Sequence, residues 1–140
     1  MNIIVDASVA VKWFFAEDQN EAADRLLADE YFVQAPDFLF LEVANILWKK
    51  WYRNEMNPLD DEETIAILFD AIERIIPTTL LIGKALRIAK ELNHPVYDCI
   101  YLAAAQEYES CLITADFEFL NRVKNSSHAK WITGIGNPTL

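Results

Sequence analysis

Asn2-Ile3-Ile4-Val5-Asp6-Ala7-Ser8 decides the fold. Asn2 to Val5 is dense in β-branched side chains, with no polar residue alternating through Ile3, Ile4 and Val5. That pattern predicts a strand covered on both faces, as in a parallel sheet. Asp6 follows at once, so it stands at the carboxyl end of that strand. A second stretch repeats the arrangement: Cys111 to Thr114 reads as a buried strand, and Asp116 follows two residues after Thr114.

Short β-rich runs and longer helical ones alternate between these two stretches. Ser8 is placed to cap a short helix through Phe15. Asn20 is placed to cap the next, with Ala22, Ala23, Leu26 and Leu27 on its apolar face. Tyr31 to Ala35 predicts a strand stopped by Pro36, and Asp37 caps a long helix to about Arg53. Asn57-Pro58 breaks the chain, and Asp60 to Glu63 opens a helix with acids at its positive end. Arg74 to Thr78 predicts a strand and Leu80 to Leu92 a helix with Lys84, Arg87 and Lys90 outward. His94-Pro95 is a break, followed by a helix from Val96 or Tyr97 to about Glu109. Asp116 starts a short helix, and Lys130 to Thr133 is a last strand. Strands separated by helices predict an α/β fold with a mainly parallel sheet and helices on both faces.

The 140 residues are the size of one ordinary domain, and 53% of them are hydrophobic, enough for one core. Three Gly and five Pro exclude a fibrous or disordered chain. The longest apolar runs, Phe38 to Leu41 and Ile100 to Ala105, are too short to span a bilayer. The amino terminus has no basic region and meets an acid at once, unlike a signal peptide. Cys99 and Cys111 then read as small buried thiols of a protein in the reducing cytoplasm. The net charge of -10 runs against the basic surface that phosphate binding normally wants. Two readings remain open: acids gathered at a cation site, or a basic protein partner.

Four acids stand in unusual places. Asp6 and Asp116 end buried strands, and ligands of open parallel sheets bind at that edge. Glu42 lies inside Phe38-Leu39-Phe40-Leu41-Glu42-Val43-Ala44, where a carboxylate is costly unless paired or bound to a cation. Asn45 and Lys49 share its helical face. Asp98 opens the apolar run Cys99 to Ala105, at the positive end of a helix. Each has a plain alternative: a turn or helix cap for Asp6, Asp98 and Asp116, a solvated stripe for Glu42. Four convergent carboxylates do not all stay ionised without cations, and their hard oxygens suit Mg²⁺ or Mn²⁺. Zinc is excluded by the spacing of His94, His128 and the cysteines. No Gly-rich phosphate loop, Gly-x-Ser-x-Gly elbow or Cys-His pattern is present.

In order and context these acids resemble the PIN domain, and within it the VapC-like toxins of bacterial toxin–antitoxin pairs. The resemblance rests on Val5-Asp6-Ala7-Ser8, Leu41-Glu42-Val43-Ala44-Asn45, Tyr97-Asp98 with its alanine-rich helix, and Leu112-Ile113-Thr114-Ala115-Asp116 followed by Phe119. It spans almost the whole chain, so residues 1–140 are read as a single PIN-like nuclease domain. It implies a three-layer α/β/α sandwich, Mg²⁺ or Mn²⁺, and endoribonuclease activity leaving 5′-phosphate and 3′-hydroxyl ends. It maps Asp6, Glu42, Asp98 and Asp116 onto the family's acidic quartet, as metal ligands and catalytic groups. Ser8 and Thr114 match positions whose hydroxyls sit near the metal, and Asn45 is a supporting position. It further implies a homodimer, an RNA substrate and a small, partly basic antitoxin partner. Where relatives carry a further acid after the fourth, only Glu118 and Asn121 stand here.

Lys12, Lys49, Lys50 and Arg53 are the basic candidates for the RNA path. Trp13, Phe14, Trp48, Trp51 and Tyr52 are expected to pack the core or a dimer interface; Trp48, Trp51 and Tyr52 are also placed to stack on bases. Two rival readings stand beside the nuclease. A receiver-type or phosphatase-like domain would phosphorylate Asp6 without needing Glu42 or Asp98. A catalytically inactive PIN-like module would bind protein only.

Overall fold

The computed structural model describes residues 1–55 and 57–140. Five strands form one sheet in the order β3-β2-β1-β4-β5: β1 Asn2–Val5, β2 Phe32–Pro36, β3 Arg74–Ile76, β4 Cys111–Thr114 and β5 Ile132–Gly134. Every pairing is parallel; Ile4 sits opposite Leu112 on one side and Gln34 on the other. Ile3, Ile4 and Val5 are fully buried. Consecutive strand residues point to opposite faces, so helices must cover both. This is the three-layer α/β arrangement.

Among the described residues the helices are α1 Ala7–Ala10, α2 Asn20–Arg25, α3 Phe38–Tyr52, α4 Asp61–Ala71, α5 Ile82–Leu92, α6 Val96–Glu107 and α7 Phe117–Lys124. Of these, α6 packs against β1, β2 and β4, and α5 packs on α6. Its Cys99 to Ala105 are all buried. Three successive alanines there let its backbone lie close on the sheet. The one polar residue deep in β2, Gln34, is satisfied by Ser110 and Arg74, as burial requires.

The chain runs outward from β1 through β2 to β3, then returns to place β4 on the other flank of β1. The carboxyl ends of β1 and β4 therefore border the crevice where the strand order reverses, where open α/β sheets bind ligands.

Several boundaries differ from those the sequence predicts. Asp6, not Ser8, caps the first helix: its side chain accepts from the Val9 N–H, and α1 ends at Ala10 before a 3-10 turn, Val11–Trp13. Ser8 is drawn away to bond Asp6 itself. Asn20 begins α2 instead of capping it, and its amide ties down the preceding loop through Glu17, Lys12 and Phe15. The Asp37 carboxylate reaches Thr78 and leaves α3 without a side-chain cap. The strand predicted from Arg74 ends at Ile76, because Thr78–Leu80 turns into a 3-10 helix. The last strand starts at Ile132 after a 3-10 turn, Ala129–Trp131.

The aromatic residues also divide. Phe14 is buried and Trp13 donates its indole N–H to the Ala23 carbonyl. Trp48, Trp51 and Tyr52 are exposed, so they do not fill the core; Trp48 and Tyr52 stack on each other, 5.4 Å apart. Both cysteines are free. No described helix is long and apolar enough to cross a membrane.

Candidate active site

Asp6 leaves β1 into the crevice and is 8% exposed. Its two carboxylate oxygens are held separately. Ser8 Oγ donates to one at 2.5 Å, and the Val9 N–H to the same oxygen at 3.2 Å. Thr114 Oγ1, at the end of the neighbouring β4, donates to the other at 2.5 Å. Both hydroxyls are themselves fixed: Ser8 Oγ accepts from the Ala115 N–H and Thr114 Oγ1 from the Asp116 N–H. The two strand ends are thus stitched through the carboxylate between them. Burial pushes the Asp6 carboxyl up to about 6, against the pull of Ser8, Thr114 and Val9, and the charge on Asp98 adds to the rise.

Glu42 reaches the same place from α3. Burial raises its carboxyl, and the charges of Asp98 and Asp6 raise it further; the Tyr101 hydroxyl, which donates to Glu42 Oε1, opposes this. The Tyr101 phenol is itself driven far up by burial and by the facing charge of Glu42, so it stays a donor. Asp98, in the first turn of α6, accepts from His94 Nε2 at 2.7 Å. The His94 ring rests on Phe119, with centroids 4.8 Å apart. The charge of Asp98 thus reaches both Asp6 and Glu42, and that of Asp6 reaches Glu42.

Asp116 stands one strand over. One of its oxygens caps α7 by accepting from the Phe119 N–H at 3.1 Å. Its backbone N–H donates to the Thr114 hydroxyl that also serves Asp6; its carboxylate is occupied at the helix cap and is not drawn in among the other three. Asn45 is exposed beside Glu42 on α3 and lines the same groove.

The donor set suits a hard divalent ion in chemistry: carboxylate oxygens, mutual repulsion and, at Asp6 and Glu42, acids with no salt-bridge partner among the described residues. Its spacing is open. Among the described residues no three His, Cys, Asp or Glu side chains are gathered to hold one ion by themselves. An ion that keeps several waters and takes one or two carboxylates, as Mg²⁺ does, matches such an open set.

Tyr101 and His94 are the functional neighbours that sequence reasoning missed. Tyr101 follows Asp98 by one helical turn and is the sole hydroxyl in Cys99 to Ala105. His94 precedes Asp98 by four residues, but Pro95 between them hid the shared face. The basic candidates fare unevenly. Lys12 is turned away, donating to the Asp18 carbonyl at 2.7 Å with Glu17 beside it. Lys50 pairs with Glu55 and lies over the Phe15 ring. Lys49 lines the groove that contains Glu42.

This α/β/α architecture, with carboxylates at the switch point, defines the class. The chain belongs to the PIN domain family, whose profile matches residues 3–125. It is 25% identical over 118 residues to Ribonuclease VapC3 of Pyrobaculum aerophilum, covering 83% of this chain and 90% of that one. Its fold is shared with a toxin-antitoxin complex from Klebsiella pneumoniae, at a TM-score of 0.67 and 16% identity, covering 94% of this chain and 95% of that chain. VapBC2 from Rickettsia felis, bound to a DNA fragment from its promoter, superposes at a TM-score of 0.64 with 15% identity, covering 96% and 98%.

Proposed function

We propose that this chain is a Mg²⁺- or Mn²⁺-dependent endoribonuclease, the toxin of a toxin–antitoxin pair, acting through Asp6, Glu42, Asp98 and Asp116. The observation that carries this reading is that Asp6, at the carboxyl end of β1, and Glu42, on α3, both lie within reach of the charge of Asp98 on α6, which adds to burial in raising the two carboxyls. Likeness to a ribonuclease along most of both chains supports the reaction type. A bound divalent ion would supply Lewis acidity and a positive field for the phosphodiester oxygens.

The chain's own groups then have distinct tasks. Asp6 and Asp98 are the direct ligands, and Asp116 completes the set from β4. Ser8 and Thr114 fix the rotamer of Asp6, so its oxygens cannot swing away from the crevice. Tyr101 aims Glu42 toward the same space, where it orients water. The strong negative charge calls for a partly basic antitoxin partner, and the chain works as a homodimer in the reducing cytoplasm, where Cys99 and Cys111 stay free. Single-stranded RNA incubated with the wild-type chain and Mn²⁺ is cleaved on this reading; Asp6→Asn and Asp98→Asn each lose more than about 100-fold in rate, beyond the 10–100-fold typical of groups that merely support a ligand. Cleavage at wild-type rate by either variant would remove that residue from the reaction.

One observation favours a second reading, the inactive protein-binding module: the acids are not gathered around a single point. Absence of both cleavage and Mn²⁺ binding in the wild-type chain would decide for it.

A further inference from the structure

A groove of about 480 Å³ opens directly beside the acids and is lined by Phe38, Glu42, Asn45, Lys49 and Tyr97 among others. Glu42 lines this groove and feels the charges of Asp6 and Asp98, so the groove adjoins the acidic crevice. Tyr97 immediately precedes Asp98 and is 60% exposed, unusual for so large a ring in the first turn of a buried helix. One face of it lies on Phe38, with centroids 5.7 Å apart and planes 15° from parallel. Phe38 in turn lies against Tyr101 at 6.3 Å, the residue that holds Glu42. The exposed ring is therefore braced from behind and tied to the catalytic acids. Across the groove, α3 presents Asn45 and Lys49 on the face of Glu42. Lys49 is two turns from Glu42, about 10 Å along the helix axis, and makes no salt bridge among the described residues.

We infer that this groove is a subsite for one unpaired nucleotide of the RNA next to the bond that is cut, its base stacking on the open face of Tyr97 and its phosphate meeting Lys49. The inference rests on the nuclease reading and adds to it a place for the substrate. A braced aromatic ring, an amide and one ammonium in a row are the parts used to hold single strands: the ring takes any base, the cation the backbone. A base can reach the ring only when it is unpaired. The arrangement also answers the net charge, since the one cation of this groove stands where the strand would leave the acids.

The test measures binding of a fluorescein-labelled single-stranded oligoribonucleotide by anisotropy, with Mg²⁺ present and in an Asp6→Asn background that cannot cut. Wild-type cleavage is run in parallel. Adding Tyr97→Ala is expected to weaken binding roughly 10-fold, as loss of one stacked base does, while Tyr97→Phe stays within about 2-fold. Lys49→Ala is expected to lower the slope of log K against log salt by about 0.7. Binding of a blunt RNA duplex should not respond to Tyr97→Ala. If wild type cleaves RNA and Tyr97→Ala binds like its parent, the subsite falls and the nuclease reading stands. If nothing binds and wild type does not cleave, both fall. If Tyr97→Ala keeps RNA but loses a co-purifying antitoxin, the groove is a protein site and the inference is overturned.

Discussion

Asp6 is a carboxylate placed where its charge is least welcome. Burial lifts its carboxyl to about 6 even though two hydroxyls and a backbone N–H serve it. An unfolded Asp titrates near 3.9, so between about pH 4 and pH 6 the folded chain holds the proton more tightly than the unfolded one. Stability contributed by this group is thus present at low pH and lost as pH rises through about 6, on the order of 3 kcal/mol in the absence of metal. Urea melts in EDTA at pH 4.5 and 7.5 check this: wild type should lose stability relative to Asp6→Asn over that interval, and Mn²⁺ should restore much of it only at the higher pH. The same reasoning makes Asp6→Asn more stable than wild type near neutrality while inactive, a trade of stability for function. Tyr101→Phe keeps the ring but frees Glu42 Oε1 from its donor. It should weaken Mn²⁺ affinity about 10- to 100-fold by calorimetry, with a melting temperature near that of wild type.

Elements carry these residues to one edge, and Asp116 shows how structural and chemical duties overlap. Its carboxylate caps α7 through the Phe119 N–H, so Asp116→Ala should cost about 1 kcal/mol of stability as well as activity. Asp116→Asn keeps a capping oxygen and should hold stability within a few tenths of a kcal/mol while still slowing cleavage; a variant with both properties intact would make Asp116 a cap alone. Helix α6 tests the packing. Ala104 is fully buried, and Ala104→Leu should cost about 1–3 kcal/mol by forcing the helix from the sheet. The strands around Asp6 and Asp116 were legible because unbroken apolar runs such as Ile3-Ile4-Val5 admit few other placements. The ends of elements were less so, since tertiary partners decide them: the Ser8 hydroxyl bonds Asp6 from within α1 instead of capping it, and the Asp37 carboxylate bonds Thr78 instead of capping α3. Of the site, the acids were visible as carboxylates in apolar surroundings. Tyr101 and His94 were not, because a hydroxyl in a buried helix and a histidine before a proline have many ordinary uses.

At the scale of the molecule, the chain order places β4 beside β1 only after β2 and β3 are laid down. Residues more than a hundred positions apart, such as Ser8 and Ala115, then share a hydrogen bond at 2.9 Å. The site therefore exists only in the folded sheet, and the repulsion among its carboxylates is a property of the whole arrangement. A cation bound to the folded state alone stabilises it by mass action, and the overall charge of -10 favours any cation over none. Calorimetric titration of Mn²⁺ into the metal-free chain at pH 7.5, against Asp6→Asn and Asp98→Asn, addresses the convergence of carboxylates most directly. Saturable binding to wild type at a fixed stoichiometry, weakened at least about 10-fold in each variant, is the outcome expected of a shared cation site. Undetectable binding to wild type, or binding that both variants retain unchanged, would contradict it.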